Sequence, residues 1–118
     1  MQELLRQLIE DYLRREEEEK PALAEVIAKL RRRRDLFRAK GMRRLSVFGS
    51  VARGAATPES DIDIAVEYEP DREPSLSGFA GLREDLSDLL GRDVDLAEWK
   101  TLRPDVRAAA DREAIDVL

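Results

Sequence analysis

Residues 49–63 read Gly49-Ser50-Val51-Ala52-Arg53-Gly54-Ala55-Ala56-Thr57-Pro58-Glu59-Ser60-Asp61-Ile62-Asp63. The stretch follows a short apolar run, and its first glycine and serine predict a tight turn whose backbone N–H groups can approach an anion. Its last three residues place two carboxylates at i and i+2, which point to the same face when they lie on a strand. A phosphate-cradling turn facing a paired-carboxylate metal site is what phosphoryl or nucleotidyl transfer needs. The stretch therefore predicts that the chain handles a nucleotide.

The composition is that of a soluble protein with an unusually high content of charge. The 118 residues are enough for one domain with a buried core. There are 21 lysines and arginines against 26 aspartates and glutamates, and the net charge of −5 weakly disfavours nucleic acid as a partner. No run resembles a signal peptide or a membrane span, so we expect a cytoplasmic protein with no membrane partner.

The chain has no cysteine and no histidine. The missing cysteine excludes disulfides, thiolate metal sites and cysteine nucleophiles. The missing histidine removes the usual general base near neutral pH and the commonest transition-metal ligand. Any metal must then be held by oxygen, which favours Mg²⁺, with Mn²⁺ as the alternative.

Hydrophobic periodicity predicts alternating helices and strands. The predicted helices are 4–19, 21–40, 51–54, 79–90 and 104–113. The predicted strands are 45–48, 61–67 and 94–97, and residues 114–118 are expected to add a short extended tail. This order favours an α/β (α+β) fold, a small mixed β-sheet with helices packed on it. Residues 1–20 are expected to form an amphipathic helix preceding one domain, 21–118.

Two aspartates on an otherwise apolar strand repel one another, by about 4 kcal/mol at 4 Å and an effective dielectric near 20. Asp61 could instead cap a turn while Asp63 lies on a solvated face. A third acid, Asp95, is flanked by Val94 and Leu96 as Asp63 is by isoleucines. If the strand of Asp95 lies beside that of Asp63, the three carboxylates share one face and form a cluster.

Together these residues resemble a known family. Gly49-Ser50, ten intervening residues, Asp61-x-Asp63 and then Asp95 in a Val-Asp-Leu strand are similar to the minimal nucleotidyltransferases (MNT) of the DNA polymerase β superfamily. The resemblance covers about residues 22–118 and is closer to the MNT antitoxins that are encoded beside HEPN-domain toxins. It implies a polymerase β-like nucleotidyltransferase fold for residues 21–118, with residues 1–20 as an additional helix.

The resemblance also implies an activity and a set of residues. The activity is transfer of AMP from ATP, with two Mg²⁺ ions, to a hydroxyl, which in the antitoxin branch is a tyrosine of the partner HEPN ribonuclease and silences it. Implied nucleotide contacts are Gly49, Ser50 and Ser60, with Arg53 either meeting a phosphate or pairing with Glu59 or Asp61. Implied metal ligands and catalytic acids are Asp61, Asp63 and Asp95, the last as ligand or base.

Several alternatives stay open at this stage. The chain could be a non-catalytic antitoxin that occludes its toxin, or an autoregulator that binds DNA through its arginine-rich second helix. No added domain for a large acceptor follows the motif, which favours a protein partner. Leu4, Leu8 and Tyr12 could pack on the domain, or form a dimer or toxin-facing surface in a homo- or hetero-oligomer. Trp99 is expected to anchor the core or rim rather than stack on adenine.

Overall fold

The computed structural model describes residues 2–19 and 21–118, with the backbone alone for residues 15–19. Within these residues the helices are α1 Gln2–Glu19, α2 Leu23–Arg31, α3 Arg34–Ala39, α4 Gly49–Arg53, α5 Leu76–Leu90 and α6 Pro104–Glu113. The strands are β1 Met42–Phe48, β2 Ile62–Tyr68, β3 Val94–Glu98 and β4 Ile115–Asp116. The predicted class, a small sheet with helices packed on it, is confirmed.

The four strands form one mixed sheet in the order β3-β2-β1-β4. Strand β1 is antiparallel to both β2 and β4, whereas β2 and β3 are parallel. A parallel pair needs a long crossover connection, and here α5 supplies it. The mixed sheet expected from the sequence is confirmed, and β2 lies inside it with a neighbour on each side.

Strand β2 separates an apolar face from a polar one because its side chains alternate. Ile62, Ile64 and Val66 are fully buried. They belong to the main core, which also includes buried side chains from α2, α5, β1 and β3. On the opposite face, Ala65 packs with Trp99 and Ala110 of α6. Trp99 is only 2% exposed, which confirms the expected anchor.

The predicted helix 21–40 is wrong as one continuous element, because it breaks into α2 and α3. At the break the Arg33 N–H donates to the Leu30 carbonyl, with an N–O distance of 3.0 Å. This tight turn changes the direction of the chain between α2 and α3, and both Leu30 and Phe37 lie in the core. The expected stop at Gly41 is confirmed, since Gly41 follows the α3 C-cap at a φ of 92°.

Element ends differ from the prediction by a few residues. Strand β1 begins at Met42, three residues before the predicted start, and β2 begins at Ile62, so that Asp61 lies just before the strand. The boundary that we expected after residue 20 falls at Lys20, which lies outside the described residues.

Helix α1 does not bury its apolar side chains. Leu4, Leu8 and Tyr12 are 66%, 58% and 64% exposed. The interpretation that they pack on the domain is therefore wrong, and the alternative of a dimer or toxin-facing surface stays a prediction. None of the described helices combines the length and the apolar character needed to cross a membrane.

Candidate active site

The turn by which β1 enters α4, at Gly49 and Ser50, is built against Asp63. Gly49 has a φ of 71°, a conformation that other residues adopt only at a cost. An ideal Cβ atom on Gly49 would lie 3.0 Å from Cγ of Asp63 and would overlap its Oδ2. The backbone of the turn thus comes as close to the carboxylate as a residue without a side chain allows.

The two parallel strands bring Asp63 and Asp95 together. In the register of β2 with β3, Asp63 lies opposite Asp95, and neighbouring strands in a sheet are about 4.8 Å apart. The expectation that these two acids share a face is confirmed. Asp63 is half-buried, whereas Asp95 and Asp61 are exposed.

Burial raises the pKa of Asp63 from 3.8 to about 6, and the carboxylates of Asp95 and Asp61 add to the effect. The guanidinium of Arg53 acts in the opposite direction and lowers this pKa. At neutral pH, three negative charges are therefore held close together against an unfavourable energy. A cation bound between them would relieve that energy.

The donor set suits a hard divalent cation, because it consists of carboxylate oxygens. Among the residues that the structure describes, however, no three histidine, cysteine, aspartate or glutamate side chains already converge as a metal-binding group. Asp63 and Asp95 are neighbours, and Asp61 precedes the strand. The residues fit an oxygen-bound ion in chemistry, and the third ligand would have to turn inward.

A polar cavity of about 530 Å³ lies beside the acids, on the side of α5. Its lining is Asp61, Arg83, Glu84, Ser87, Asp88, Asp93, Val94 and Asp95. With five carboxylates against one guanidinium, it attracts cations rather than a triphosphate. Neither Gly49 nor Arg53 lines this cavity.

Arg53 has a partner that the sequence did not suggest. Its Nη1 lies 2.9 Å from Oε2 of Glu113, the last residue of α6. The expected alternatives, Glu59 and Asp61, are not its partners here. Glu113 is 60 positions further along the chain, and no local pattern links the two residues.

Ser50 and Ser60 lie at the two ends of the loop region. The Ser50 carbonyl accepts the N–H of Ala55 at 2.9 Å, which closes α4. The Ser60 hydroxyl accepts the N–H of Thr57 at 2.8 Å, which closes the turn before β2. The roles of these serines toward a nucleotide stay predictions.

Arg92 is a further residue that the sequence reasoning missed. Its Nη1 donates to the Pro58 carbonyl and joins the end of α5 to the loop that precedes Asp61. Arg92 follows Gly91, the C-cap residue of α5, and this position in the sequence does not indicate a partner 34 residues away.

Comparison with known proteins gives matches along the domain. The model of a family described as nucleotidyltransferase domain matches residues 25–117. Protein adenylyltransferase MntA of Thermococcus cleftensis is 39% identical over 85 residues, which cover 72% of this chain and 84% of the relative. A protein of Methanocaldococcus jannaschii, assigned as a protein adenylyltransferase, is 37% identical over 97 residues, which cover 80% of this chain and 97% of the relative.

Solved structures share the fold. A protein assigned as a minimal nucleotidyltransferase has a TM-score of 0.67 at 38% identity, covering 80% of this chain and 94% of that one. A toxin–antitoxin structure with AMP-PNP has a TM-score of 0.64 at 22% identity, covering 78% and 72%. A complex of a tri-AMPylated Shewanella oneidensis HEPN toxin with its MNT antitoxin has a TM-score of 0.59 at 19% identity, covering 81% and 71%.

Proposed function

Because the chain belongs to the nucleotidyltransferase domain family, we propose that it transfers AMP from ATP to a hydroxyl of a partner protein. The partner would be a HEPN ribonuclease toxin and the acceptor a tyrosine, so that the transfer silences the toxin. The relatives named as protein adenylyltransferases support the reaction, and the antitoxin structures of the same fold support the kind of partner.

One observation carries the proposal, the convergence of the Gly49 turn on the paired Asp63 and Asp95. A fold that merely bound its partner would have no use for a carboxylate whose pKa is raised to about 6 by its surroundings. Nor would it need a glycine whose missing side chain leaves room for that carboxylate. Both features are costs to the folded protein, and a bound nucleotide with its cation would offset them.

Asp61, Asp63 and Asp95 are the residues that would hold Mg²⁺ ions, with Mn²⁺ as the alternative. When bound, a divalent cation supplies positive charge to the phosphate oxygens and lowers the pKa of an attacking hydroxyl. Nothing else among the described side chains facing Asp63 supplies such charge except Arg53, which is shared with Glu113.

The chain's own groups have distinct tasks in this proposal. The Gly49–Ser50 turn holds the triphosphate so that the α-phosphorus faces the acceptor oxygen. The new bond joins that oxygen to the α-phosphorus, and the bond from the α-phosphorus to the bridging oxygen breaks and releases pyrophosphate. A carboxylate oxygen of Asp95 takes the acceptor's proton, since the chain contains no histidine that could do so.

The test is label transfer from α-³²P-ATP in the presence of Mg²⁺ and the product of the neighbouring gene, which the proposal expects to be a HEPN protein. We expect label on the partner with wild type and none with the Asp61→Ala/Asp63→Ala double variant. Glu69→Gln is the matched control, because Glu69 is an exposed carboxylate beyond the other end of β2. Equal labelling by wild type and double variant would refute the proposal.

A non-catalytic antitoxin is the alternative that the same experiment separates. If the chain acts by occlusion, the double variant still inhibits the ribonuclease although no label is transferred. If it acts by AMP transfer, the double variant leaves the ribonuclease active. Replacing the acceptor tyrosines of the partner by phenylalanine then identifies the modified hydroxyl.

A further inference from the structure

Helix α1 presents a large apolar face that the described chain leaves uncovered. Six of the eight large apolar side chains that are exposed among the described residues lie on this helix. They are 52–66% exposed and comprise Leu4, Leu5, Leu8, Ile9, Tyr12 and Leu13. An exposed contiguous patch of this kind marks an interaction surface in a soluble protein.

The face has the geometry of a helix–helix contact. At 3.6 residues per turn, its six residues cover roughly half of the helix circumference over about 15 Å. The remaining half carries Arg6, Glu10, Asp11 and Arg14. These pair within the helix, with Arg6 Nε 3.9 Å from Glu10 Oε1 and Arg14 Nη2 next to Asp11 Oδ1. The charges thus lie beside the apolar face and not within it.

The area of the face matches the needs of a dimer. Six such side chains, at roughly 100 Å² each, expose on the order of 600 Å². Two copies packed face to face would bury about 1,200 Å², the lower limit for stable specific interfaces. A second identical helix is therefore large enough to cover the face.

The charges on α1 favour a second copy in the antiparallel direction. Residues 16–19 of the sequence are all glutamate, so a parallel pair would bring two acidic helix ends together. An antiparallel pair sets these ends apart. With the two-fold axis between Leu8 and Ile9, Leu5 of one copy lies opposite Tyr12 of the partner subunit, and the reverse contact forms by symmetry.

We propose that α1 is a dimerisation helix whose apolar face packs antiparallel on α1 of a second copy. The family match begins at residue 25, after α1, so this role is separate from the domain that the relatives share. The proposal does not rest on the adenylyltransferase activity, and either can fail without the other.

The first test is the mass of the full-length chain in sedimentation equilibrium. We expect wild type at twice its 13.5 kDa. Leu8→Glu buries an unpaired charge and should raise the dimer Kd about 100-fold or more. Gln7→Glu on the polar half is the matched control and should stay dimeric. Fluorescence of the single tryptophan, the buried Trp99, reports that each variant keeps its folded domain.

The second test fixes the direction of packing and uses the absence of native cysteine. Under mild oxidation, Leu8→Cys near the axis should cross-link to itself. Leu5→Cys and Tyr12→Cys should each cross-link poorly alone, and should form a mixed disulfide when combined.

The contrary results are equally specific. A wild-type chain that stays at 13.5 kDa at every concentration overturns the proposal. So does a dimer that Leu8→Glu leaves intact, or efficient self-cross-linking of both Leu5→Cys and Tyr12→Cys. A chain that is monomeric alone, and whose α1 becomes protected only on adding the HEPN protein, assigns the face to that partner instead.

Discussion

The backbone of Gly49 lies so close to Asp63 that a side chain at position 49 would have its Cβ atom 3.0 Å from Cγ of Asp63. The turn proposed to hold phosphate and the acid proposed to hold metal are therefore one unit. A change in either must displace the other.

Gly49→Ala should slow AMP transfer about 100-fold while leaving the protein folded. The new methyl group displaces Asp63, and a displacement of about 1 Å in such a site costs on the order of 100-fold in rate. Gly54→Ala is the matched control, because Gly54 has the nearly identical φ of 72° with nothing within 4 Å of its Cβ position. Both variants should lose about 1–2 kcal/mol of stability from the left-handed backbone. Equal activity of the two variants would contradict the coupling of turn and acid.

The raised pKa of Asp63 predicts how stability depends on pH in the absence of divalent ions. The carboxyl group of Asp63 stays protonated up to about pH 6 in the folded protein, but only up to about pH 3.8 in the unfolded chain. The contribution of Asp63 to stability is thus present below pH 3.8 and is lost as pH rises to 6. The pKa difference corresponds to about 3 kcal/mol, which partial solvent exposure reduces to roughly 1–2 kcal/mol.

Asp63→Asn should therefore unfold at higher urea concentration than wild type at pH 7 and at the same concentration near pH 3.5. Added Mg²⁺ should narrow the difference at pH 7 by stabilising the wild type alone. Asp85→Asn, which changes an exposed acid of α5, serves as the control and should show neither effect. An Asp63→Asn variant that is less stable than wild type at pH 7 would show that burial does not strain this carboxylate.

The ion pair between Arg53 and Glu113 predicts opposite effects of changing its two members. Both side chains are partly exposed, so breaking the pair should cost less than about 1 kcal/mol in unfolding experiments. If Arg53 binds a phosphate of ATP, Arg53→Ala should raise the KM for ATP about tenfold. Glu113→Gln frees the guanidinium and should leave this KM unchanged or lower it. An unchanged KM in Arg53→Ala would confine the residue to a structural role.

The hydrogen bond between Ser46 and Asp116 predicts how much the contact of β1 with β4 contributes to the free energy of unfolding. It is fully buried in β1 and donates its hydroxyl hydrogen to Oδ1 of Asp116 in β4. Burial alone would raise the pKa of Asp116, but hydrogen bonds from Ser46 and Arg44 outweigh burial and lower it. Ser46→Ala should cost about 1–2 kcal/mol at neutral pH, measured by urea unfolding. The loss should shrink as Asp116 is protonated in acid, and Ser77→Ala on the surface should cost nothing measurable.

The sequence predicted the parts of the site that are encoded locally. Alternating isoleucines around Asp63 and the Val94–Leu96 pair around Asp95 indicated two strands with outward acids, and the structure sets these strands side by side. No local sequence pattern indicated the contacts between segments that are distant along the chain. Arg53 and Glu113 carry ordinary surface charge, and only the packing of α6 near α4 brings them together.

Two further differences have physical causes that a pattern does not reveal. The arginine run at 31–34 has good helix propensity, so its periodicity gave no reason to expect a break between α2 and α3. Amphipathicity in α1 shows that one face needs to be covered but does not show by what. The exposure of Leu8 and Tyr12 depends on how the remaining chain folds, which the pattern of α1 does not contain.

The position of β2 between β1 and β3 has a consequence for the lifetime of the site. A strand with ladder partners on both sides opens only with most of the molecule, so the backbone amides around Asp63 should be among the slowest to exchange with solvent deuterium. Local fluctuations cannot take this acid out of its place. Regulation of the site must then act on the bound reactants or on the loops beside it. The position of the Asp63 carboxylate is lost only when the whole domain unfolds.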